Sequence, residues 1–129
     1  MIRIAVCDDE NVIVNQIEHI ISEVCKRESI PVNIDVFYSG RELKRQVTSG
    51  TKYDIIFLDI QMKGGDGITA AENIRKVDDN VLLIYVSGYD KYMMELFRLD
   101  VFGFIKKPID EEILTKTFLE TYQLSLIHI

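Results

Sequence analysis

The amino-acid sequence alternates between two hydrophobic patterns along its whole length. Short apolar runs, rich in β-branched and aromatic residues, are typical of strands. They lie at 2–7, 32–38, 53–58, 81–86 and 102–105. The runs at 55–58 and 81–84 are almost unbroken by polar residues, which indicates strands that are buried on both faces of a sheet. The pattern therefore predicts five strands, with these two in central positions.

Between the strands, apolar residues recur every three or four positions, as they do on one face of a helix. The spaced sets are Val14, Ile17, Ile21 and Val24; Leu43 and Val47; Ile68, Ala71 and Ile74; Met93, Leu96 and Phe97; and Leu114, Phe118 and Tyr122. Strands that alternate with helices favour a parallel sheet with right-handed crossovers and helices on both faces. We therefore predict an α/β fold with a doubly wound, five-stranded parallel sheet.

Composition and charge narrow the class of protein. The 129 residues are 47% hydrophobic and carry a net charge of −6, which fits one soluble domain and argues against nucleic-acid binding by this chain. The first apolar run reaches Asp8 too soon for a signal peptide, and no run has membrane-spanning length. We expect a cytoplasmic protein without membrane contact, in which Cys7 and Cys25 are buried free thiols.

Polar or charged residues follow four of the five predicted strands. Asp8 and Asp9 follow the first strand, Asp59 the third, Ser87 the fourth and Lys107 the fifth. In open parallel sheets, ligands bind at the carboxyl ends of the strands, near the point where the strand order reverses. We therefore expect these side chains to converge at one edge of the sheet.

Three carboxylates in a small space require a compensating cation. Two unit charges about 4 Å apart repel by roughly 4 kcal/mol at an effective dielectric constant near 20. Mg²⁺ binds one or two carboxylates, waters and a phosphate oxygen, and a lysine can neutralise a further charge. The hydroxyl of Ser87 and backbone N–H groups around Gly64 to Gly67 are suited to hydrogen-bond a phosphoryl group.

Taken in order, these residues resemble the receiver domain of bacterial response regulators. The resemblance rests on the acidic pair Asp8 and Asp9, on Asp59, on Ser87 and on Lys107-Pro108, each after its own strand. It covers 1–122 and leaves 123–129 as the start of a linker or as a tail foreign to the native protein. It implies the CheY-like, flavodoxin-like fold with strand order 2-1-3-4-5.

The resemblance also implies the role of each residue. Asp59 would accept a phosphoryl group from a sensor histidine kinase. Mg²⁺ would be bound by Asp8, Asp9, Asp59 and the backbone carbonyl of Gln61. Lys107 and Ser87 would contact phosphoryl oxygens, and the Lys107-Pro108 peptide would be cis. Such a domain catalyses its own phosphorylation and slow dephosphorylation and is not otherwise an enzyme.

The output implied by the resemblance is a conformational switch. Ser87 would move inward on phosphorylation, and Phe104, three residues before Lys107, would turn inward with it. We call the surface that would change, around Met93, Met94, Phe97, Phe102 and Phe104, the output face, and we hypothesise that it forms a homodimer.

The stretches 87–90 and 102–104 resemble receivers that precede LytTR-type DNA-binding domains. The expectation is therefore a transcription regulator whose effector domain is missing from this chain.

Other classes of protein remain open at this point. A haloacid-dehalogenase-type phosphohydrolase also uses a strand-end aspartate, but it requires a second aspartate where this chain has Gln61. A flavodoxin-like electron carrier requires a phosphate-binding loop after the first strand, where Asp8 and Asp9 would repel phosphate. A third alternative is a receiver-shaped interaction module that is never phosphorylated.

Single residues also have simpler interpretations. Asp8 and Asp9 could cap a helix, and Lys107 could be a solvated charge. The stripe from Met93 to Phe97 fits core packing as well as a partner surface. His19 and His128 have no partners at metal-ligand spacing and are expected at the surface.

Overall fold

A computed structural model describes residues 1–62, 67–88 and 101–127. The strands are β1 (Ile2–Cys7), β2 (Val32–Phe37), β3 (Ile55–Leu58), β4 (Leu82–Ser87) and β5 (Val101–Lys106). The helices are α1 (Asn11–Arg27), α2 (Gly40–Thr48), α3 (Gly67–Val77) and the last helix, α4 (Glu111–Ile127). The predicted helix around Met93, the glycines at 64 and 65, and His128 lie outside the described residues.

The five strands form one sheet in the order β2-β1-β3-β4-β5, and every neighbouring pair is parallel. The predicted fold class and strand order are therefore confirmed. All four residues of β3 are buried, as are five of the six residues of β4. The two unbroken apolar runs are central strands, as the sequence predicted.

Alternate residues of the central strands contribute to two hydrophobic cores, one on each face of the sheet. On one face, Ile56, Leu58 and Tyr85 pack with the apolar residues of α2 and α3. On the other face, Phe57 and Ile84 pack with those of α1 and α4. Helices therefore cover both faces, and ligands reach the sheet at its strand ends.

The strand order reverses between β1 and β3, because the chain passes from β1 outward to β2 and then returns to pair β3 with β1. Cys7 and Leu58 are register partners at the ends of β1 and β3. The next residue of each strand is an aspartate, Asp8 or Asp59, and the backbone N–H of Asp59 donates to the carbonyl of Cys7 at 3.0 Å. The fold thus brings the two carboxylates to the same place.

The edge strand β5 contains an irregularity where it pairs with β4. Leu83 is the partner of Val101, but Ile84 is the partner of Gly103, so Phe102 is an extra residue on β5. This arrangement is a β-bulge, which shifts the register of the rest of the strand. As a result Phe104 comes opposite Tyr85, and it packs on the face covered by α2 and α3.

The last helix continues past the domain boundary predicted at residue 122, since α4 ends at Ile127. The assignment of 123–129 to a linker or a foreign tail stays a prediction. Among the described parts of the chain, no helix combines the length and the apolar character needed to cross a bilayer.

A left-handed residue at the end of α1 gives a test of backbone strain. Ser29 has a φ of 56°, a region in which a side chain costs free energy and glycine does not. We expect Ser29→Gly to raise the free energy of unfolding by about 0.5–1 kcal/mol, measured by urea denaturation. Ser49, which follows α2 with a φ of −78°, is the control. Ser49→Gly should lower stability, and equal effects of the two substitutions would contradict this explanation.

Candidate functional site

The ends of β1, β3 and β5 bring two carboxylates and one ammonium group into contact. The Nζ atom of Lys107 lies 2.9 Å from Oδ2 of Asp8 and 3.5 Å from Oδ2 of Asp59. The backbone N–H of Lys107 donates to the carbonyl of Ser87 at 3.0 Å, which fixes the lysine beside the end of β4. The predicted convergence of Asp8, Asp59, Ser87 and Lys107 is thus observed, and the Lys107-Pro108 peptide is cis.

The two carboxylates are withdrawn from water. Asp8 is 0% exposed and Asp59 is 3% exposed. Each carboxylate also accepts a backbone hydrogen bond from the residue two positions later: Glu10 donates to Oδ1 of Asp8 at 2.9 Å, and Gln61 donates to Oδ1 of Asp59 at 3.2 Å. These bonds hold both side chains in place, so the site is largely preformed.

Burial and like charge make Asp59 less acidic than usual. Burial and then the charge of Asp8 raise the pKa of Asp59 to about 6, although Lys107 and the N–H of Gln61 oppose the shift. Burial also raises the pKa of Asp8, against the hydrogen bond from Lys107. For Lys107, burial alone would lower the pKa, but the bond to Asp8 and the charge of Asp59 outweigh it and raise the pKa. Lys107 therefore stays cationic between the two carboxyl groups.

The donor set fits a hard divalent cation. Carboxylate oxygens of Asp8, Asp9 and Glu10 lie within 4.8 Å of one another, and Asp59 adjoins Asp8 through Lys107. Oxygen ligands with excess negative charge suit Mg²⁺. Glu10 was not among the residues predicted for this site. The sequence feature that could have indicated Glu10 is its position directly after the acidic pair. In the structure Glu10 is the N-cap of α1, and its side chain makes no capping hydrogen bond.

The remaining predicted site residues lie near this group in different ways. Ser87 is 1% exposed at the end of β4. Gln61 is half-buried and adjoins Asp59 through its backbone N–H. Phe104 is half-buried in β5, two residues before Lys106, and it packs on the face covered by α2 and α3. His19 is exposed, as predicted, and the free thiols of Cys7 and Cys25 are buried.

Gly67, the first residue of α3, makes a close backbone contact with the candidate phosphoacceptor. A Cβ atom on Gly67 would overlap the backbone carbonyl oxygen of Asp59. The N–H of Gly67 donates to the carbonyl of Ile60 at 2.7 Å. Only glycine allows α3 to begin this close to Asp59.

An open parallel sheet with carboxylates and an ion-paired lysine at its strand ends is typical of a class of domains that bind a metal ion and a phosphoryl group. Residues 4–119 match the family described as response regulator receiver domain. The chain belongs to this family and is a receiver domain of a two-component response regulator. The dehalogenase and flavodoxin alternatives are thereby set aside.

Individual relatives and solved structures agree with this assignment. Sensory transduction protein LytT of Bacillus anthracis is 28% identical over 117 residues, which are 91% of this chain and 46% of that protein. Sensory transduction protein LytR of Staphylococcus haemolyticus is 28% identical over 83% of this chain and 40% of its own length. The chain thus spans about half the length of these curated relatives.

Two solved structures show the same fold. The response regulatory domain of mrkE from Klebsiella pneumoniae superposes with a TM-score of 0.85 at 21% identity, covering 96% of this chain and 98% of that one. The REC domain of AraT, a response regulator from Geobacillus stearothermophilus, gives a TM-score of 0.79 at 26% identity and covers 98% of both chains.

The raised pKa of Asp59 predicts a pH-dependent stability difference. A carboxyl group whose pKa rises from 3.8 to about 6 on folding contributes stability below its unfolded pKa, and this is lost as the pH rises through about 6. In metal-free protein, Asp59→Asn should therefore be more stable than wild type at about pH 7.5. The difference in free energy of unfolding between Asp59→Asn and wild type should shrink by roughly 1–2 kcal/mol when the pH is lowered to about 4.5.

Urea denaturation with a chelator present, at both pH values, measures this difference. Asp54→Asn is the control, because Asp54 is an exposed aspartate at the other end of β3. A pH-independent difference between wild type and Asp59→Asn would show that the charge of Asp59 is not what destabilises the folded state.

Proposed function

We propose that this receiver domain accepts a phosphoryl group on Asp59 from a sensor histidine kinase in the cytoplasm. The observation that carries the proposal is the pair of buried carboxylates, Asp8 and Asp59, held on one ammonium group. In the reaction, a carboxylate oxygen of Asp59 forms a bond to phosphorus while the phosphorus–nitrogen bond of the kinase phosphohistidine breaks, and the imidazole leaves.

The acidic strand ends provide the metal ligands for this transfer. We assign Mg²⁺ to Asp8, Asp9, Asp59 and the backbone carbonyl of Gln61, with Glu10 as a nearby exposed carboxylate. When bound, the ion offsets negative charge on the entering phosphoryl group. The excess negative charge of the buried site is the reason to expect a cation there.

The lysine and the serine would hold the phosphoryl group after transfer. Lys107 already contacts Asp59 at 3.5 Å, so its ammonium group can bind a phosphoryl oxygen attached to that carboxylate with little movement. Ser87 lies at the end of the neighbouring strand, one backbone hydrogen bond from Lys107. Its hydroxyl is suited to bond a second phosphoryl oxygen.

The output would be a rearrangement that begins at Ser87 and Phe104. Phe104 is half-buried and packs against the core on the face covered by α2 and α3, so an inward turn would bury the part of its ring that is now exposed. The described part of the output face is Phe102, which is 38% exposed on the bulge of β5, together with Phe104. The relatives named above are about twice as long as this chain, and the stretches 87–90 and 102–104 resemble receivers that precede LytTR-type DNA-binding domains. We therefore propose that the output controls an effector of this type and that the full-length protein is a transcription regulator.

Phosphorylation is tested directly with a small-molecule phosphodonor. Incubation with the donor and Mg²⁺ should add one labile phosphoryl group to wild type, detected by intact mass, and none to Asp59→Ala. Asp54→Ala, at the opposite end of β3, is the matched control and should be modified like wild type. Absence of any adduct in folded wild-type protein, with every donor and metal, would favour a receiver-shaped interaction module that is never phosphorylated.

Dimerisation through the output face has a separate test. We expect sedimentation velocity to show a shift from monomer towards dimer when beryllofluoride and Mg²⁺ are added. Phe102→Asp should abolish the shift, because it places a charge on the apolar part of that face. Val77→Asp, at a similarly exposed apolar residue at the end of α3, should leave it intact. An unchanged sedimentation profile in wild type would contradict the dimer.

A further inference from the structure

We infer that Cys7 is a positioning residue for the metal and phosphoacceptor site, acting through a buried sulfur contact with Met62. The inference rests on the proposed function, because it concerns how the ligands of that site are held. Cys7 is the last residue of β1, directly before Asp8, and it is 1% exposed. Met62 lies three residues after Asp59 and is 8% exposed.

The thiol of Cys7 connects β1 to two other segments. Its Sγ atom lies 3.7 Å from Sδ of Met62 and 3.4 Å from the backbone carbonyl oxygen of Ser39. A thiol has one hydrogen, so it donates to one of these acceptors at a time and stays in contact with the other. Ser39 is the N-cap of α2, and its hydroxyl accepts a bond from the N–H of Glu42. We call residues 59–62 the acceptor loop. The thiol therefore lies where β1, the start of α2 and the acceptor loop meet.

Both ends of the acceptor loop contact Cys7. At the first end, the N–H of Asp59 donates to the carbonyl of Cys7 at 3.0 Å. At the second end, Met62 meets the thiol of the same residue. Gln61 lies between the two attachments, and its N–H bonds Oδ1 of Asp59 at 3.2 Å. The carbonyl of Gln61 is the backbone ligand that we assign to Mg²⁺.

Loss of the second attachment should therefore affect the metal site more than the fold. Contacts of sulfur with sulfur or oxygen are individually weak. Small displacements of a metal ligand nonetheless lower the affinity for the metal. Mutation of a residue that holds a metal ligand in place commonly lowers this affinity by about 10–100-fold. For a weak contact that acts through one backbone carbonyl, we expect a smaller loss of about three- to tenfold.

Titration calorimetry of Mg²⁺ into metal-free, unphosphorylated protein gives the readout. Cys7→Ala should bind Mg²⁺ about three- to tenfold more weakly than wild type. Met62→Leu keeps the apolar volume without the sulfur and should show a similar loss. The double variant should be no weaker than the weaker single variant, because both substitutions remove the same contact.

The second cysteine provides the matched control. Cys25 is also free and 2% exposed, but it lies on the opposite face of the sheet, among the residues of α1. Cys25→Ala removes the same atoms from a buried position, so it should lower the melting temperature to a similar extent. It should leave the affinity for Mg²⁺ within about twofold of wild type, since no metal ligand depends on it.

The outcomes separate this inference from the proposed function. If wild type does not bind Mg²⁺, the proposed metal site is wrong. If wild type binds Mg²⁺ and Met62→Leu and folded Cys7→Ala bind it equally well, the site stands and the positioning role of Cys7 is wrong. If Cys7→Ala does not fold, Cys7→Val fills the space without a thiol, and it must lose affinity together with Met62→Leu for the inference to stand.

Discussion

The site depends on one ammonium group shared by two buried carboxylates. Lys107 contacts both Asp8 and Asp59, which directly follow the neighbouring strands β1 and β3, where the strand order reverses. Without this cation, two carboxylates that are almost fully buried would face each other, and desolvation and repulsion would act in the same direction. With it, the carboxyl groups at these strand ends still outnumber the ammonium group, and we propose that this imbalance favours the binding of a cation.

The backbone around the trio follows from the same requirement. Buried carboxylates need hydrogen-bond donors, and here each accepts a bond from the N–H two residues ahead. Such turns bring the following residues close to the carboxylate, which places Glu10 beside the acidic pair and Gln61 beside Asp59. Gly67 then allows α3 to begin against the carbonyl of Asp59, where any Cβ atom would overlap it. The local sequence is therefore constrained by packing as well as by chemistry.

The fold and the main members of the site could be predicted from the sequence because both follow from periodicity. Strand and helix periods differ clearly at β3, β4 and α1, and polar residues that directly follow strands must collect at one edge of a parallel sheet. Contacts that depend on exact register could not be predicted. The extra residue Phe102 on β5, the left-handed Ser29 and the meeting of Cys7 with Met62 each arise from tertiary packing, and no spacing in the sequence encodes them.

The charge on Asp59 would couple the stability of this domain to the metal binding that we propose. Burial raises the pKa of that carboxyl to about 6, so its ionised form destabilises the metal-free fold near neutral pH. A cation that binds only the folded state would relieve the unfavourable charge of ionised Asp59. The free energy gained in this way would add to the apparent affinity of the cation. Under the proposed function, phosphorylation of Asp59 would bring further negative charge to the same place, and the groups that hold Asp8 and Asp59 would have to accommodate it. Lys107 is the member of the trio that would respond in this proposal, because a movement of its ammonium group from Asp8 towards a phosphoryl oxygen would change the charge balance at both strand ends at once.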